Sequence, residues 1–142
     1  MARRRQFKVA DIAQQVVGGF LLAGPFVLTE EVWIAASEMS TVQWVVALGL
    51  VFAIGYGALY RADSDRDPDH EADVGGIPVR FLSLMGVSFG SVIILMVVFD
   101  APWAFLSGID VPRDRWLVVT LHAIAIDSVF SVVGAATADS VF

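Results

Sequence analysis

Apolar and polar positions alternate in long blocks along this chain. Four apolar stretches stand out, at about 15–37, 42–60, 79–99 and 116–136. Each is about as long as the 20 residues a helix needs to cross a hydrocarbon core of roughly 30 Å. A backbone in lipid must satisfy its own hydrogen bonds, so stretches of this length and continuity predict helices rather than loops or open sheet. The pattern therefore predicts an all-α membrane protein with four transmembrane helices. Val9–Gln15, mixing polar and apolar residues, reads as the interfacial start of the first helix. That helix contains Gly24-Pro25, and Pro25 removes one backbone donor, so a kink is expected there. Trp33, Trp44 and Tyr60 fall near the ends of the first two spans, where aromatic side chains sit at membrane interfaces.

Small residues suggest where the helices meet. Gly49, Ala53 and Gly57 recur every fourth residue in the second span, and Gly86 and Gly90 do so in the third. Both patterns match the small-xxx-small seam of closely packed membrane helices, with Ser83 and Ser88 as small polar neighbours.

The connections set the orientation. Residues 1–8 and 61–80 hold seven of the nine Arg and Lys, the loop before the fourth span holds two, and the 38–41 turn none. Under the positive-inside rule the N-terminus and the 61–78 loop are cytoplasmic, and four spans return the C-terminus to the same side, an N-in/C-in protein of the plasma membrane. Arg4-Arg5 has some likeness to a twin-arginine export signal, but a basic anchor ahead of the first helix is the simpler account. The 61–78 loop carries Asp63, Asp65, Asp67, Asp69, Glu71 and Asp73. Its start invites a calcium-loop reading, which fails because Pro68 stands where that loop needs Gly and Val74 where it needs Glu.

Composition narrows the classes. The chain is 57% hydrophobic and 17% charged, too apolar for a soluble core of 142 residues. It has no cysteine, which excludes disulfides and thiol chemistry. Its net charge of −6, with Asp and Arg dominating, resembles haloarchaeal composition and speaks against nucleic-acid binding. No Ser-His-Asp arrangement, HExxH motif or phosphate loop is present, so no enzyme is expected, and no cofactor beyond a bound cation.

The candidate chemistry is a handful of polar groups inside the spans. Glu30 and Glu31 lie in the first, and His122, Asp127 and Ser131 in the fourth. Ionisable groups at membrane depth are costly and are functional candidates by default. Glu30, Glu31 and His122 come out at similar depth in the outer half, with Asp127 near the midplane. Thr120, Asp127 and Ser131 share one face of a helix, while His122 points about 140° away from Asp127. Three readings follow. In the first, copies of the chain form a cation channel or permease in which Glu30 and Glu31 bind the ion, with calcium, sodium and potassium all open, and with the Gly24-Pro25 break freeing a carbonyl toward the same lumen. In the second, the chain is a non-conducting subunit or scaffold whose polar groups bond between helices. In the third, the Glu, His and Asp at stepped depths relay protons in a coupled transporter. The expected surroundings are lipid and further copies of the chain, with no soluble partner evident.

The run Gly18-Gly19, Pro25, Thr29, Glu31 and Trp33 resembles the opening of the DUF2391 family of integral membrane proteins, whose members have a GG, a Pro and a T-x-E-x-W run in the first span. The 134–139 segment matches more loosely. The resemblance implies a prokaryotic membrane protein and no particular activity. The gross plan also parallels Orai calcium channels: four spans, both termini inside, a basic approach and an acidic residue in the outer part of span one. That parallel is one of plan only.

Overall fold

Four helices, Val9–Val27, Thr41–Tyr60, Val79–Val98 and Arg113–Ser140, are long and apolar enough to cross a membrane, the last including a short 3-10 turn at its start. This is an all-α architecture of the multi-pass membrane type. The structure, a computed structural model, describes residues 9–60 and 73–141. The basic segment 1–8 and the acidic run 61–72 lie outside the described residues. In chain order the helices are α1 (Val9–Val27), α2 (Glu30–Glu38), α3 (Thr41–Tyr60), α4 (Val79–Val98), α5 (Ala101–Leu106) and α6 (Trp116–Val141). Two short antiparallel strands, β1 (Asp73–Val74) and β2 (Ile77–Pro78), precede α4. They turn on Gly75 and Gly76, both at positive φ, the conformation that two-residue hairpin turns favour.

The first apolar stretch is not one helix kinked at Gly24-Pro25. Helical structure continues through Pro25 to Val27, and the interruption falls at Leu28–Thr29. Side chains stabilise it there. The Thr29 hydroxyl donates to the Pro25 carbonyl at 2.6 Å, and the buried Trp33 indole donates to the Val27 carbonyl at 3.0 Å. Two carbonyls that a continuing helix would have satisfied thus find partners without one. Thr29 itself is extended (φ −107°, ψ 123°), so α2 starts afresh at Glu30.

α6 is the centre of the bundle and packs against α1, α2, α3 and α4. Two apolar clusters share it. One, toward the Trp116 end, gathers Val27, Trp33, Val92, Met96, Val119 and Ala123. The other, toward the opposite end, gathers Val51, Leu59, Leu84, Met85, Val132 and Ala136. Phe26 and Phe130 stack between α1 and α6 with ring centroids 3.8 Å apart.

The close crossing is not where the small-residue spacing points. α1 and α6 touch backbone to backbone at Gly18 and Gly134: a Cβ on either would meet the carbonyl oxygen of the other. Gly49, Gly57, Gly86 and Gly90 instead have nothing within 4 Å of where a Cβ would stand, and Ala53 is exposed. The four-residue spacing sets these residues on one face of α3 and one of α4, and within the chain both faces point outward. The approach of two helices is fixed by residues on both of them. Gly18 and Gly134 are 116 positions apart, so no local pattern links them.

Candidate functional site

Three groups of polar side chains occupy the bundle at three levels. The end of α1 that carries Asp11 and Gln15 meets α4 and α6 in a buried ionic network. The Arg80 guanidinium donates to Asp139 at 2.7 Å and to Asp11 at 3.3 Å. The Gln15 amide donates to the other Asp139 oxygen at 3.3 Å, and the Ser83 hydroxyl donates to the Gln15 carbonyl oxygen at 2.7 Å. Arg80, Asp139 and Gln15 are almost wholly inaccessible. A charge pair this deep is tolerated only when its remaining hydrogen-bonding positions are also filled. Here five side chains from three helices make up the network. Sequence reasoning counted Arg80 as a topological charge and gave Asp11 and Gln15 to the interface. The available signal was spacing: Asp11 and Gln15 four apart, Arg80 and Ser83 three apart, each pair on one helix face.

At the middle level stands Asp127. It lies eleven residues after Trp116 and twelve before Asp139, roughly 16 and 18 Å along α6. Its side chain is fully buried, and neither carboxyl oxygen has a hydrogen-bond partner among the described residues. The neighbouring Ser128 hydroxyl is also buried without one. Ser131, one turn further, donates to the Gly19 carbonyl at 3.3 Å and so ties α6 to α1.

Toward the Trp116 end, His122 faces the Ala36 carbonyl at 3.1 Å through Nδ1. The carbonyl can only accept, so Nδ1 carries the hydrogen. The Arg115 guanidinium reaches the Ser37 carbonyl at 3.4 Å. These two contacts tie the last turn of α2 to the first turns of α6. Glu30 and Glu31, six and five residues before Ala36, lie up to roughly 9 Å deeper along α2. Both are exposed, on the first turn of α2, while Val32, Trp33 and Ala36 of the same helix face inward. Acidic side chains suit a helix N-terminus, whose free N–H groups carry partial positive charge. At the rim, Arg113 lies over the rings of Trp103 (5.2 Å) and Trp116 (4.6 Å), a cationic side chain held between two interfacial aromatics.

The fold therefore does not gather the sequence candidates into one site. His122 and Ser131 are engaged with backbone carbonyls of other helices, and Thr120 donates within its own helix to the Trp116 carbonyl. Glu30 and Glu31 lie outside the bundle. Asp127 lies inside it. Gly24 and Pro25 are in the last turns of α1, ahead of the interruption. Among the described residues no group of three or more His, Asp or Glu side chains is placed to hold a metal ion. No protein-family model, curated protein or solved structure matches the chain.

Proposed function

We propose that copies of this chain assemble in the membrane and pass cations along a path lined by Glu30 and Glu31, as a channel or permease. The observation that carries this reading is the outward exposure of both carboxylates at a depth below the Trp116 end. A carboxylate on the perimeter at that depth faces either lipid, where charge is costly, or water and polar groups supplied by another copy. The interior of the bundle is filled by Trp33, Leu84, Val51, Val92 and Val119, so an ion path would run between copies. A ring of such carboxylates attracts cations and replaces part of their hydration shell. The distribution of Arg and Lys supports termini on the cytoplasmic side. Membership of the DUF2391 family is likewise a proposal, on the first-span motif.

A second reading has its own observation. His122, Ser131, Gln15 and Ser83 all bond between helices, as a non-conducting scaffold would require. Cation flux into proteoliposomes separates the two. Wild type conducts under the first reading, and Glu30→Gln or Glu31→Gln abolishes or reselects the flux while size-exclusion chromatography shows the same assembly. Absence of flux in correctly assembled wild type would overturn the channel reading.

A further inference from the structure

We propose that Asp127 is a proton-binding site in the bundle interior, distinct from Glu30 and Glu31. Every other described ionisable group in the spans either is exposed or has a partner, whereas Asp127 is fully buried at mid-span with both oxygens unmatched among the described residues. An ionised carboxylate in that setting lacks both solvent and donors, and an isolated buried charge is far more costly than a buried neutral group. A bound proton removes the charge with the least demand on the surroundings. A metal cation would need several oxygen ligands.

The neighbouring elements supply no compensating charge. α1 has no ionisable side chain after Asp11, and α4 none after Arg80. α3 carries only Tyr56 and Tyr60, near its end by the hairpin. α2 carries Glu30, Glu31 and Glu38, all exposed. On α6 itself, His122 is bonded to Ala36 and Asp139 to Arg80. An acid conserving neither bond nor ion pair adds nothing to the packing that Asn or Val would not. Binding and release of a proton is the property that only the acid has. Release requires water to reach it, and Asp127 is fully buried in this arrangement, so proton exchange is tied to a rearrangement that admits water.

The test is infrared difference spectroscopy of the full chain in detergent at neutral pH. Wild type should show the carbonyl stretch of a protonated carboxylic acid. Asp127→Asn should lose that band, the Glu30→Gln/Glu31→Gln double variant should keep it, and Asp127→Glu, should the Asn variant fail to fold, should shift it. Unfolding in a weakly buffered dye solution gives an independent reading: wild type should release one more proton per chain than Asp127→Asn. No protonated-acid band in folded wild type, a band that survives in Asp127→Asn, or equal proton release by the two proteins would overturn the proposal.

Discussion

The contact most sensitive to a single methyl group is the α1–α6 crossing. In Gly134→Ala the new Cβ would clash with the Gly18 carbonyl oxygen, with the Gly18 carbonyl carbon at 2.9 Å and Leu22 Cγ at 3.0 Å. The leucine can turn away; the backbone carbonyl cannot. The helices must move apart, and a radial gap of about 0.5–1 Å already forfeits a quarter to a half of each dispersion contact along the seam. Overpacking costs about 1–3 kcal/mol, and the backbone obstacle puts this case at the upper end. Alanine returns at most about 1 kcal/mol of helix propensity. The expected net loss is about 2 kcal/mol. Gly86→Ala has nothing within 4 Å to meet and should be neutral or gain up to about 1 kcal/mol. The assay is unfolding of the dilute, monomeric protein in mixed dodecylmaltoside–SDS micelles, followed by circular dichroism. Equal midpoints for Gly134→Ala and wild type, or an equal loss in Gly86→Ala, would refute this account of the packing.

Three further outcomes are expected in the same assay. Asp139→Asn should lower stability by about 3 kcal/mol, the low end for a broken buried pair because Asp11 still reaches Arg80; a loss under 1 kcal/mol would show that the network is not a unit. Trp33→Phe keeps the ring but removes the donor to the Val27 carbonyl and should cost about 1 kcal/mol, with the change in amide exchange concentrated at 27–33. Asp127→Val should raise stability by about 1–2 kcal/mol, since it replaces a buried carboxyl that has no partner; a fall of that size would mean that the carboxyl is bonded after all.

Much of the fold is legible in the sequence because the bilayer imposes length and apolarity on each span, and both are local properties. The second and third spans fall within a residue or so of the helices Thr41–Tyr60 and Val79–Val98. The first is harder, because what ends α1 is not Pro25 but two side chains further on, Thr29 and Trp33, which capture carbonyls behind them. Helix pairing is harder still. GxxxG spacing says that a face can be approached closely, and it does not say by which helix. Asp127 is marked in the sequence by its charge alone. That its oxygens lack partners, while His122 finds one on α2 and Ser131 one on α1, is decided only in the assembled bundle. The reverse applies to Arg80, an ordinary flanking charge until Asp139, 59 residues away, is brought beside it.

The central position of α6 has a consequence for biogenesis. α1, α3 and α4 emerge from the ribosome before it, yet each buries much of its inward face against it. Until α6 arrives, the carbonyl of Gly19 has not met the Ser131 hydroxyl, and Arg80 enters the membrane without Asp139. The early helices are therefore inserted but not yet mated, and they must be sheltered, by the insertion machinery or by a membrane chaperone, for the time it takes to translate the intervening residues. A nascent chain stalled before Trp116 would present a guanidinium with Asp11 but not Asp139 beside it, and an open glycine groove to lipid, features by which a membrane-quality-control protease could recognise it as unfinished.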